Sequence, residues 1–299
     1  MGPIGVSPED IVIRHIIMAL PLALCVAATS SSAAERVDLE LVLLADASRS
    51  IDDAEIRFQR RNYAAAITHP QILDAIASGY RQRIAVIYVK WGDENSQEVV
   101  VPWTIVAGRQ SASAFAQELI DRPRRGSGIN AIGSALAVAH ALISRNDITG
   151  TRKNIDFPGD SANSFGGIPI AHARAAALAD DIVINGLSIL CADCSSGRPV
   201  FYDLEAAFAQ HIIGGRGSFV VTADGPRRFA LAVRRKLLLE IAGTPGGRAG
   251  APSVKGIGGS SYRGWKGPGL EKKTGCFLYP PVAWRWSSCR AARPAAVIW

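Results

Sequence analysis

The stretch VDLELVLLADASRS, Val37 to Ser50, decides how this chain is read. It opens with apolar and polar residues in alternation and turns continuously apolar from Leu41 to Ala45. Alternation suits a strand with one polar face, and the continuous run suits a parallel strand buried on both faces. The run then stops on three small oxygen donors at alternate positions, Asp46, Ser48 and Ser50. Asp and Ser are favoured at turns and helix N-caps, so one reading is a strand that ends and a helix that begins. The other is a cup of hard oxygen ligands at the carboxyl end of a strand, built for a divalent cation.

Downstream, the pattern keeps alternating. Residues 51–69 place Ile56, Tyr63 and Ile67 near helical spacing, with Ser50 and Asp53 as a capping pair. RIAVIYVKWG (83–92) and SQEVVVPW (96–103) read as strands joined by the polar turn DEN, the second an antiparallel edge. A helix over SASAFAQELI, an Ala-rich helix over 130–144, a short strand over 153–157, a helix over 169–180 and a strand over 181–190 follow. YDLEAAFAQHII, GSFVVTA and a final amphipathic helix over 226–243 complete the series. Strands alternating with helices predict an α/β fold, a doubly wound and mainly parallel sheet of about six strands. Helices cover both faces, and the first strand lies near the middle.

The whole chain of 299 residues carries a net charge of +7, but the excess is local. Residues 244–299 hold nine Lys or Arg and one acid, Glu271, so residues 1–243 carry 24 basic and 25 acidic side chains. With no dense basic face beside stacking aromatics in that larger part, a nucleic-acid-binding core is excluded. The segment 244–299 is Gly- and Pro-punctuated, has no sustained period, and is expected to be a basic, disordered tail. Residues 1–34 read as a signal peptide: Arg14 and His15 precede IIMALPLALCVAA, and Ser32 and Ala34 stand at −3 and −1 of a cut before Glu35. The mature protein is therefore expected in the periplasm or secreted, without stable membrane insertion. Export permits disulfides, and Cys191 and Cys194, in a C-x-x-C after an apolar run, are expected to pair and pin their loop. Cys276 and Cys289 stay open. Zinc fits the cysteines poorly, since neither a second C-x-x-C nor paired histidines lie nearby.

Ligands of an open doubly wound sheet sit outside the carboxyl ends of its strands. Three loops leave such ends with oxygen donors: Asp46-x-Ser48-x-Ser50, then GSGINAIGSAL with Asn130 opening a helix, then IDFPGDSANSFGG with Asp160 after a strand. In that order these motifs resemble the von Willebrand factor A domain, whose metal-ion-dependent adhesion site uses them. RIAVIYVKWGDENSQEVVVPWTIV and GDSANSFGG look more narrowly like an exported bacterial branch, domain of unknown function 1194. The likeness covers about residues 36–243, so that 35–243 is the expected domain. The resemblance implies Mg²⁺ or Mn²⁺ held by Ser48 and Ser50, with Asp46 and Asp160 acting through waters, and a protein partner that supplies a Glu or Asp ligand. The family usually carries Thr where Asn130 stands. Asn offers a carbonyl in place of the hydroxyl, so direct and water-mediated contacts are both open.

Two rival readings are weighed beside it. A polar-capped scaffold of the same fold would bind no metal. GDSANS also resembles the nucleophile block of a GDSL-type esterase, with Ser161 attacking an ester. That family needs an Asp three residues before a His near its C-terminus, and His69, His140, His172 and His211 all lack one. The chain is accordingly read as a binding module and not an enzyme.

Overall fold

The computed structural model describes residue 2 and residues 34–49, 51–122, 128–190 and 202–243. The proposed signal segment, Ser50, the C-x-x-C and the tail from 244 onward therefore lie outside the described residues, apart from Gly2 and Ala34. Among the described residues six strands form one sheet: β1 (Glu35–Asp46), β2 (Ile84–Trp91), β3 (Glu98–Val106), β4 (Ile148–Gly159), β5 (Val183–Ile189) and β6 (Val220–Ala223). Their order is β3-β2-β1-β4-β5-β6, parallel throughout except for the edge strand β3, which runs antiparallel to β2.

Strand β1 owes its central place to its residues. From Leu39 onward, successive side chains point to opposite faces, and both faces find helices. Leu39, Leu41, Leu43 and Ala45 pack with Tyr63 and Ile67 of α1 (Asp53–Ile67), Phe115 of α3 (Arg109–Asp121) and Val233 and Leu237 of α7 (Pro226–Ala242). On the other face Val42 and Leu44 join Leu136 of α4 (Ile132–Ser144), Ala177 of α5 (Ile170–Ala179) and Phe208 of α6 (Leu204–His211). Trp91 and Phe157 stack at 5.4 Å in that second core, and Phe208 tilts onto Phe157 at 5.7 Å. Glu40, fully buried on the same strand, is satisfied by the Gly150 N–H (2.7 Å) and the Asn146 side-chain amide (2.8 Å).

Three local features differ from the expectations. Helix α2 (Pro70–Ala77) follows α1 at once, with Pro70 in its first turn and the His69 side chain accepting from the Gln71 N–H. The cap of α1 is formed by Asp52 and Glu55, each side chain accepting the other's backbone N–H, in place of Ser50 and Asp53. Strand β4 begins five residues before the expected Lys153. Its polar first half lacks an apolar signal and is held by main-chain pairing to β1, Glu35 opposite Ile148.

Candidate functional site

Asp46 is the last residue of β1; the Ala47 N–H still pairs with the Trp91 carbonyl at the end of β2 (2.8 Å), and the chain leaves the sheet beyond it. One residue on, the Ser48 N–H donates to Asp46 Oδ1 at 2.8 Å, a tight turn that draws Ser48 back over the strand end. Both are almost enclosed, at 5% and 3% exposure. The next N–H, of Arg49, donates to the Gly128 carbonyl (2.8 Å), which binds the β1 loop to the segment before α4. Gly128 has φ of +125°, and a Cβ there would fall 2.3 Å from a carboxylate oxygen of Asp93, so glycine is required by both conformation and space. Ala131 then donates to the Gly92 carbonyl, closing the segment against the end of β2.

Asn130 lies in this segment, two residues before α4 starts at Ile132, with Ala131 at the N-cap position. Its amide donates from Nδ2 to the Asn163 carbonyl (2.8 Å), and its main-chain carbonyl accepts from Phe165. The other amide atom, Oδ1, is buried and has no hydrogen-bond partner among the described residues. An acceptor enclosed in this way carries an uncompensated desolvation cost unless a ligand meets it. Asp160 is the first residue beyond β4, half-buried, and close enough for its charge to act on Asp46.

The electrostatics follow from this crowding. The Asp46 carboxyl is pushed up to about 7, chiefly by burial and then by the charges of Asp160 and Glu55, against the opposing hydrogen bonds from Ser48. Among the described residues no cation is one of the groups that act on it. Two carboxylates, a hydroxyl and an orphaned amide oxygen make the donor set of a hard cation such as Mg²⁺. They do not make a site of His, Cys or clustered carboxylates, and among the described residues there is no group of three or more such side chains able to hold a metal.

The structure thus brings Asp46, Ser48, Asn130 and Asp160 to one end of the sheet, while Ser50 lies outside the described residues. Sequence reasoning passed over Ser164, whose hydroxyl accepts from the Ile132 N–H (3.0 Å) and caps α4 from another loop. It also passed over Gly133, where a Cβ would meet the Ile168 carbonyl at 1.9 Å, so that only glycine lets the 160–169 loop lie on α4. The Gly in GINAIGSAL was the one visible signal of that approach. Ser161, the nucleophile of the esterase reading, accepts from the Asn163 N–H at 3.1 Å. His140 is engaged with Asp180 and His69 with Arg234, so neither activates it.

A central β1, a single antiparallel edge strand and helices on both faces define the class of fold: a doubly wound α/β fold on a six-stranded, mainly parallel sheet. The chain belongs to the family described as Protein of unknown function (DUF1194), which matches residues 36–245. Among curated proteins, no sequence matches. Similar solved structures include proximal thread matrix protein 1 from the mussel byssus with a zinc-occupied MIDAS motif, at 16% identity and a TM-score of 0.49. That alignment covers 70% of this chain and 48% of the other. A von Willebrand factor type A protein from Catenulispora acidiphila aligns at 16% identity and a TM-score of 0.48, over 69% of this chain and 43% of that one. The von Willebrand domain of the type V pili tip protein Mfa5 from Porphyromonas gingivalis aligns at 9% identity and a TM-score of 0.43, over 67% and 94%. The chain spans less than half the length of the first two. Among the described residues no helix is long and apolar enough to cross a membrane.

Proposed function

We propose that this chain is an exported protein-binding module that takes a Glu or Asp of a partner protein through a divalent cation, Mg²⁺ or Mn²⁺. The proposed ligand set is Asp46, Ser48, Ser50, Asn130 and Asp160, in a domain spanning residues 35–243. The observation that carries the reading is the enclosed Asp46 carboxylate, on which the charge of Asp160 acts and, among the described residues, no cation does. A scaffold with polar caps alone would have no reason to bury a carboxylate against a second one, since each raises the other's cost of ionisation.

In this reading Ser48 presents its hydroxyl because its own N–H is tied back to Asp46 Oδ1. Asp46 and Asp160 supply negative charge and accept from ordered waters. Asn130 turns its unpartnered Oδ1 to the site, since its Nδ2 is held by the Asn163 carbonyl. When bound, the cation supplies an electrophilic position able to take one carboxylate oxygen of the partner. The family signature in the sequence and the chemistry of the donors support the same conclusion, and neither calls for a nucleophile or general base.

Thermal unfolding of the full chain with and without Mn²⁺ or Mg²⁺ tests it. At free metal about 100 times its dissociation constant, the folded state gains about 2.7 kcal/mol. Wild type is expected to melt higher with metal, and Ser48→Ala to lose the increment while melting like wild type without metal. Identical melting of wild type in both conditions would remove the cation and, with it, the mode of partner binding.

A further inference from the structure

The loops that carry the candidate site also present large apolar side chains to solvent. Phe165, Ile129 and Ile168 are 56%, 54% and 43% exposed. Ile129 directly precedes Asn130 in the chain, and the Phe165 N–H donates to the Asn130 carbonyl (2.6 Å). Ile168 follows in the same loop, its carbonyl lying against Gly133 in the first turn of α4.

The fold does not use these three side chains. Main-chain and hydroxyl groups tie residues 160–169 to α4: Ser164 Oγ accepts from the Ile132 N–H (3.0 Å), and Ser134 Oγ from the Ile168 N–H (3.2 Å). Gly166 and Gly167 turn the loop with φ of +75° and +68°. Neither apolar core includes Phe165, Ile129 or Ile168. An aromatic ring and two branched aliphatic chains, fixed in place with no core to fill, have the composition of a contact surface.

The charges around them limit what can dock. Within residues 128–132 and 160–169 the only charged residue is Asp160. The turn after β2 adds Glu94, which is exposed and makes no hydrogen bond or ion pair among the described residues. It lies against the same loop, since a Cβ on Gly166 would stand 3.8 Å from its Oε2. Asp93 adjoins Gly128, and its carboxylate accepts from the Asn95 N–H (2.9 Å). Arg49, exposed on the β1 loop, adds one positive charge on the other side of the site. A run of acids on a partner would thus meet like charge at Glu94 and Asp93, whereas a base would be attracted there.

We infer that the partner is a protein segment in which a single Asp or Glu adjoins a large apolar side chain and a Lys or Arg. The apolar side chain seats on Phe165, Ile129 and Ile168, and the base on Glu94. This rests on the reading that a cation held by Asp46 and Ser48 takes the acid. Apolar contact at the centre with opposite charge at the rim gives the segment its selectivity, because the cation alone would accept any exposed carboxylate.

Random heptapeptides displayed on phage, panned on the full chain in Mn²⁺ and eluted with EDTA, test this. Enriched sequences are expected to carry one acid beside an aromatic or large aliphatic residue and a Lys or Arg. The corresponding synthetic peptide should bind Phe165→Ser about tenfold more weakly than wild type, and Glu94→Gln about threefold more weakly. Both substitutions change exposed side chains, so each variant should melt like wild type and keep the Mn²⁺ increment that Ser48→Ala loses. Phosphatidylcholine–phosphatidylglycerol vesicles should not sediment the chain. If wild type shows no Mn²⁺ increment, the cation reading fails and this inference falls with it. If the increment is present but panning yields no such sequences, or the peptide binds Phe165→Ser unchanged, this inference alone fails. Sedimentation with vesicles that Phe165→Ser abolishes would assign the surface to a membrane and overturn it as well.

Discussion

Asp46 is the residue on which the candidate site turns, because its position is costly without a counter-charge. It is enclosed, its carboxyl is pushed up to about 7, and burial contributes more to that than the neighbouring acids do. Replacing it by Asn keeps the shape and an oxygen for the Ser48 N–H but removes the charge. Asp46→Asn is therefore expected to be as stable as wild type or about 1 kcal/mol more stable without metal. It should also show no Mn²⁺ increment, read by chemical denaturation in chelator and in metal. A loss of several kcal/mol without metal would show instead that the carboxylate is required by the turn itself. Asp46 was legible in the sequence because an ionisable residue stood at the end of an apolar run. The orphaned Oδ1 of Asn130 was not, since its partner status depends on the Asn163 carbonyl, 33 residues away.

At the scale of elements, α1 and α7 carry the testable electrostatics. The reciprocal cap of α1 satisfies two backbone donors that would otherwise be left open. Asp52→Ala should cost about 1 kcal/mol in urea unfolding, with no change in the slope of the transition. In α7, burial raises the Glu240 carboxyl to about 7, and the Asp156 charge adds to this against the pull of Lys236. The folded state thus holds a proton that the unfolded chain releases near the ordinary value of 4.5. Below that value both states are protonated and this group adds no pH dependence. Between about 4.5 and 7 the native state binds more protons, so its contribution to stability falls as pH rises, by up to about 1.4 kcal/mol per unit. Above about 7 the dependence ends. Glu240→Gln should flatten the decline between pH 5 and 7 and raise stability at pH 8 relative to wild type, as followed by denaturant midpoints. A steeper decline in the variant would show that Asp156, and not Glu240, holds the shared proton.

Over the whole molecule, the sheet separates two apolar cores, and the second also supports the candidate site. Phe157 joins Trp91, at the end of β2, to Phe208 of α6, so one ring connects strands and helix just below Asp160. Phe157→Ala should cost about 3–5 kcal/mol through the cavity it leaves, measured as a lowered denaturation midpoint. Because the loss lies beneath the end of β4, metal affinity should fall as well. Unchanged affinity in a destabilised variant would show that the loops are held by their own hydrogen bonds.

By itself the sequence determined the class of fold, because apolar runs of period two and near 3.6 are local consequences of burial on a sheet or under a helix. It also placed Asp46, Ser48 and Asp160 at strand ends and Asn130 at a helix start, since breaks in those runs are visible in one dimension; that the Asn130 segment follows helix α3 and not a strand was not visible. Helix α2 escaped because His69 and Pro70 read as a stop, although a proline is well tolerated in a helix's first turn. The first half of β4 escaped because its pairing with β1 uses backbone groups, which every residue carries. Only the tertiary structure decided that Ser164 caps a helix 32 residues away, that Lys236 lies between two carboxylates, and that Phe165 stands beside Asn130. Each of these depends on contacts between distant segments, and burial, which sets the cost of an unmet charge, exists only once those segments have packed.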